Sequence, residues 1–318
     1  WNSIWAAIAL GAAKQYNTEF WPTLDLWGPG GFAKHSPDEF LCSLLFAYWM
    51  GATKIFVENV YLRQFNTGLL RRQTEGDTIK FIPTEYGEIY RWFIKEYVPS
   101  HPRFYTFRDV EPEIGIIRFP DSYWGQKHSW IPDALYGAKN LQATSESVAW
   151  IGLWRLLTHN YSHKDGISFH CKSYRKSQHN FFCPLNNVVV YDHLVEMKDL
   201  IGLKVIFLTG VEISKESLEA IKEFVSRGGL CISLTSLAPP EISKTNLSEV
   251  SYGNGKWILT EDFQSQEIRN IIMPYLGKSN EIKYRFGKSL LIIKKCGNNA
   301  NKIQIFFQNE EGIPIKVW

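Results

Sequence analysis

The sequence predicts an α/β protein built as two successive units with a β-rich end. Three observations predict it. Helical and strand-like periods alternate over the first 98 residues, the alternation resumes beyond residue 112, and from Trp257 onward the pattern turns to two-residue alternation. At 318 residues the chain is long enough for two domains, each burying its own core.

The opening segment, WNSIWAAIALGAAKQ, places apolar residues at Ile4, Trp5, Ile8 and Ala12, a helical period. QYNTEFW follows as a strand that ends at Glu19 and its aromatic neighbours. Ser36 then caps a helix with Pro37 at its first position and Glu39 completing a capping box. Phe40, Leu41, Leu44, Leu45 and Tyr48 form the buried stripe of that helix, and Gly51 ends it. KIFVENV is a continuous apolar strand of the kind covered on both faces of a parallel sheet. A loop rich in Arg and Gly, residues 63–83, leads to a third helix, TEYGEIYRWFIKEYV, which stops before Pro99. Prolines without any period mark 99–112 as a linker.

Two such βα units cannot cover both faces of their own parallel strands, so residues 1–98 read as the last units of a larger (β/α)8 TIM barrel. Over 113–256 the order is strand EIGIIRF, helix SESVAWIGLWRLLTHN, strands NNVVVYDHL and KVIFLTG, helix SKESLEAIKEFVSRGG and strand LCISLTS. That order predicts an open, mostly parallel sheet with helices on both sides. Residues 257–318 add a helix at 264–276 and then IKYRFGKSLLIIKK and KIQIFFQNE, an antiparallel pair.

Composition narrows the function classes. Lys+Arg 35 against Asp+Glu 32 gives a net charge of +3 and no electrostatic case for nucleic acid. No apolar run reaches 18 residues, so no membrane span is expected. Five cysteines without regular spacing argue for a reducing compartment, hence a cytoplasmic location, and against a disulfide framework. The first residues lack the basic and apolar regions of a signal peptide and there is no initiator Met, so the chain reads as part of a longer protein. Aromatics at 15%, with 12 Trp, supply either large cores or the flat faces on which sugars stack.

The run from Glu19 to Val57 resembles the β-galactosidases of glycoside hydrolase family 42. In that family a nucleophilic glutamate ends the seventh barrel strand, an aromatic loop follows, and a helix leads through a short glycine motif to the eighth strand. Here Glu19 ends QYNTE, Trp21 and Trp27 lie in the loop, and YWMGATKIFV stands in the motif's place. The stretch VYDHLVEMKDLIGLKVIFLTGVEISKESLEAIKEFVSRGGLCISLT is similar to the family's amidotransferase-like trimerisation domain. The resemblance implies a retaining β-galactosidase-like hydrolase, its C-terminal part, acting on a carbohydrate without cofactor, in a homotrimer. It also implies an acid/base residue from the fourth strand, N-terminal to Trp1.

Retaining hydrolysis needs two carboxyl groups about 5–5.5 Å apart. Glu19 is the first candidate nucleophile, with Asp25 and Glu58 as alternatives for that role or as sugar binders. Trp21 and Trp27 are candidate stacking platforms, whereas Trp49 belongs to a core helix. A non-catalytic carbohydrate-binding or oligomerisation protein on the same fold is the competing reading. His159, His163, His170, Cys171, His179 and Cys183 crowd one stretch without zinc-site spacing, so no metal is expected. Cys231 reads as a buried strand residue and not a nucleophile, since GGLCISL lacks the flanking glycines of a nucleophile elbow.

Overall fold

A computed structural model describes residues 2–24, 26, 35–58, 60–61, 68–119, 145–161, 181–244, 248–308 and 314–318. The first unit runs α1 (Asn2–Gln15), β1 (Thr23–Leu24), α2 (Pro37–Trp49) and β2 (Phe56–Val57). β1 and β2 are parallel, with Thr23 opposite Phe56 and Leu24 opposite Val57. Each is two residues long where the sequence predicts a longer strand. Pro22 has no N–H to give a ladder, so the paired stretch starts after it and Glu19 precedes the strand instead of ending it.

Ser36 caps α2 as predicted, its Oγ accepting from Glu39 N at 3.1 Å. The Glu39 carboxylate does not close the capping box; it lies 2.9 Å from His35 Nδ1. Gly51 ends the helix at φ 89°, where a side chain would also strike the backbone of Thr106 and Phe107.

Part of the predicted 63–83 loop is a hairpin of β3 (Leu70–Glu75) and β4 (Thr78–Pro83), turning at Gly76. LRRQTE carries no apolar alternation, which hid it from a pattern based on burial. Thr84 then caps α3 (Glu85–Trp92), which widens into a π-turn over Phe93–Tyr97 and continues as α4 (Val98–Ser100). The helix therefore passes through Pro99 instead of stopping before it. Widening the turn ahead of proline relieves the clash that would break an α ladder.

Residues 99–112, predicted as linker, begin inside α4 and are packed beyond it: Tyr105, Phe107 and Val110 are all buried. Tyr105 stacks on Phe286 with centroids 4.5 Å apart and on Phe307 at 5.5 Å.

The second unit comprises β5 (Ile114–Arg118), α5 (Ser145–Leu157), β6 (Leu185–Asn186), β7 (Val188–Asp192), α6 (Met197–Leu200), β8 (Val205–Thr209) and α7 (Lys215–Ser226). It continues with β9 (Leu230–Leu234), α8 (Pro240–Ser243), β10 (Glu249–Tyr252) and β11 (Gly255–Thr260). The sheet order is β10-β11-β9-β8-β5-β7, and only β10 is antiparallel. Ranked along the chain, the parallel strands lie in the flavodoxin-like order 2-1-3-4-5. The strands are near-continuous apolar runs because both faces are covered. β11 straddles residue 257, so the parallel sheet extends past the boundary read from sequence.

After α9 (Gln266–Ile272), the chain forms β12 (Glu281–Phe286), β13 (Ser289–Cys296), β14 (Asn299–Gln308) and β15 (Pro314–Lys316). Their order is β15-β14-β13-β12-β6, so the predicted antiparallel pair is a four-stranded antiparallel run with β6 added in parallel.

These parts share one continuous core. α1 lies on β7 at backbone contact: a Cβ on Gly11 would sit 1.9 Å from Val190 O. α2 lies on β14, with Cys42 Sγ donating to Asn301 O at 3.2 Å and the Trp49 and Phe307 rings 5.7 Å apart. Trp49, 3% exposed, donates from its indole to Tyr97 OH at 2.9 Å, and Tyr97 OH donates on to Val317 O at 3.0 Å. Trp49 is thus a packing residue. No helix among the described residues is long and apolar enough to cross a membrane.

Candidate functional site

Residues 20–24 and 53–58 run side by side beyond the two short strands. Thr53 N donates to Phe20 O at 3.2 Å, Phe56 N to Pro22 O at 3.0 Å and Glu58 N to Leu24 O at 3.1 Å. Extended chains send alternate side chains to opposite faces. Phe20 and Val57 accordingly point into the core, while Trp21, Thr23, Lys54, Phe56 and Glu58 are exposed. The result is a solvent-facing strip with two aromatic rings, Trp21 at 53% and Phe56 at 56% exposure.

Glu19 sits at the end of this strip that leads into β1. Its Oε2 accepts from Trp21 Nε1 at 2.5 Å and lies 3.2 Å from Lys54 Nζ. Lys54 Nζ is in turn 4.0 Å from the centroid of the Trp21 ring. Donation from Lys54, and secondly from Trp21, holds the Glu19 carboxyl below the usual glutamate range. Such a group is an ionised acceptor, suited to a nucleophile or a hydroxyl-binding anchor and not to a proton donor.

Glu58 is at the opposite end, immediately after β2. Its backbone bonds to Leu24, five residues beyond Glu19, which puts the two acids on the order of 15 Å apart by strand rise. They do not share a cleft, and the group that tunes Glu19 is Lys54. The expectation of adjacent strand-end acids assumed both strands end at the same level; the pairing of Thr23 with Phe56 sets Glu19 before its strand and Glu58 after its own. Asp25 and Trp27 lie outside the described residues.

Lys54 and Phe56 are the strip residues that sequence reading passed over. The apolar run of KIFVENV predicts burial on both faces, which masks its exposed alternate positions. The signal was present in Lys54, Phe56 and Glu58, spaced two apart with charged ends.

Elsewhere, Cys231 is fully buried in β9 and burial pushes its thiol far up, as a core residue requires. His163, His170, Cys171 and His179 lie outside the described residues, and Cys183 is buried where its carbonyl accepts from Ser3 Oγ at 2.8 Å. Among the described residues, no three His, Cys, Asp or Glu side chains group as metal ligands.

No protein-family model matches the chain, and no curated protein does. Among solved structures, it is similar to that of Gan42B, a GH42 beta-galactosidase, with 11% identity and a TM-score of 0.48. The similarity covers 93% of this chain and 51% of that one, so the chain spans about half the length of the galactosidase.

Proposed function

We propose that the chain acts on carbohydrate as the C-terminal part of a glycoside hydrolase of the retaining, β-galactosidase-like type. The observation that carries this reading is the Glu19–Trp21 unit: an ionised carboxylate fixed beside a half-exposed indole, on a strip that also offers Phe56. A sugar presents an apolar C–H face and polar hydroxyls, and these match a ring and an acceptor set side by side.

In this reading Glu19 is the nucleophile. Its oxygen bonds to the anomeric carbon as the glycosidic bond breaks, the leaving oxygen takes a proton from an acid supplied N-terminal to residue 1, and water then releases the sugar. Trp21 and Phe56 hold the sugar, and Asp25, Trp27 and Glu58 remain candidate sugar binders on their residue type. The test is to treat the full-length protein with an activated 2-fluoro galactoside and map the adduct by peptide mass spectrometry. Label on Glu19 is expected; label on another carboxylate removes Glu19 from the role.

A second reading, non-catalytic carbohydrate binding, is favoured by one observation. Glu19 precedes its strand and is already engaged by Lys54 and Trp21, as a fixed anchor would be. Sugar binding that Trp21→Ala weakens, in a full-length protein that forms no adduct, supports this reading over the first.

A further inference from the structure

We propose that Lys54 is a positioning residue of this face: it fixes the Glu19 carboxylate and the Trp21 ring in the single arrangement that a sugar meets. The proposal rests on the carbohydrate reading above and adds to it a residue from the opposite strand.

The geometry is a closed triangle. Lys54 Nζ reaches Glu19 Oε2 at 3.2 Å and covers the Trp21 ring at 4.0 Å, while the Trp21 indole N–H donates to the same Glu19 oxygen. Glu19 and Trp21 are two apart in the sequence and both exposed, and within that segment the Trp21–Glu19 hydrogen bond ties one rotamer to the other. Lys54 supplies a second constraint, from across the pairing. Each contact is weak alone at a wet surface. Closing the triangle means that each contact restricts the groups that make the other two, so that losing Lys54 loosens the Glu19–Trp21 pair.

The triangle leaves the site open. Trp21 remains 53% exposed with the ammonium against its ring, which leaves indole surface for a ligand. The ammonium also neutralises the carboxylate locally, so the pair meets hydroxyl groups without a net charge of its own. The charged groups acting on Glu19 are Lys54 and, more distantly, Arg108, whose Nε lies 3.5 Å from Asn17 Oδ1. Arg108 stays in place when Lys54 is replaced, so the two effects separate.

The test uses the whole chain labelled with 5-fluorotryptophan, the Trp21 fluorine signal being assigned by its loss in Trp21→Phe. In the wild type this signal is expected to titrate with Glu19, at a midpoint below the ordinary glutamate range. Lys54→Met is expected to raise the midpoint toward that range and broaden the signal, and Lys54→Arg to return both toward wild type. Lactose affinity, followed on the same resonance, is expected to fall about threefold to tenfold in Lys54→Met and to recover in Lys54→Arg. An unchanged midpoint in Lys54→Met overturns the proposal. So does a shifted midpoint with lactose binding left intact. If the midpoint shifts and the wild type binds no lactose, Lys54 still positions the pair, and it is the carbohydrate reading that fails.

Discussion

Gln15 and Asp192 are joined by two hydrogen bonds running in opposite directions. Gln15 Nε2 donates to Asp192 Oδ1 at 2.8 Å, and Asp192 N donates to Gln15 Oε1 at 3.0 Å. The last residue of α1 is thereby tied to the last residue of β7, which aligns the first unit on the edge of the parallel sheet. Gln15→Ala leaves the Asp192 N–H without this partner and is expected to cost about 1–2 kcal/mol in urea unfolding. Gln15→Glu is expected to cost at least as much, since a carboxylate then faces Asp192 Oδ1.

Tyr16 adds a further bond to the Asp192 carboxylate, its hydroxyl donating to Oδ2. That bond, ahead of burial, raises the Tyr16 hydroxyl to about 12. A folded-state value above the unfolded one means that the stabilisation is whole below about 10 and is lost as pH rises through about 12. The melting temperature is expected to fall across that window in the wild type, and Tyr16→Phe to flatten the part of the fall due to this bond. The difference between the two curves is the measurement.

Gly11 is where α1 lies against β7. A Cβ there meets Val190 O at 1.9 Å and Val190 C at 2.5 Å, backbone atoms that cannot rotate away. Gly11→Ala improves intrinsic helix propensity, yet is expected to destabilise by about 3 kcal/mol or more because the helix must lift off the strand. Circular dichroism against urea gives the value. A gain in stability would mean that the two backbones are not in contact.

Ser233 and Trp257 form a buried pair between β9 and β11, the indole N–H donating to Ser233 Oγ at 2.9 Å with both residues at 0% exposure. Ser233→Ala strands a buried donor and is expected to cost about 1–3 kcal/mol. Trp257→Phe in the Ser233→Ala background is expected to cost less than the sum of the two single changes, a coupling that a double-mutant cycle reads directly.

Much of the second unit was legible because its strands are apolar on both faces. EIGIIRF and KVIFLTG leave little choice between strand and helix, and SKESLEAIKEFVSRGG has a helical period and a glycine stop. GKWILT was harder. It lies beside the polar SYGNG turn, and only its pairing with LCISL assigns it to the parallel sheet. Near the candidate site, Glu19 and Trp21 were visible as a carboxylate beside an aromatic in an extended run. Their partner was not, because the offset between two strands separated by a helix is a tertiary fact: Thr23 opposite Phe56 brings Lys54 to Glu19 and carries Glu58 away. The capping box at Ser36 failed for a similar reason, since His35 competes for the Glu39 carboxylate.

The route from Trp49 through Tyr97 to Val317 has a consequence for the order in which the protein matures. α2 and the turn at 93–97 are emerging from the ribosome long before β14 and the residues around Val317 that cover them exist. Synthesis adds about 5–20 residues per second, so these early apolar surfaces wait for on the order of ten seconds or more without their partners. The faces of α2 and 93–97 that meet Phe307 and Val317 therefore stay uncovered until those residues are made, and pulse-labelled nascent chains halted before residue 300 should remain sensitive to protease across α2.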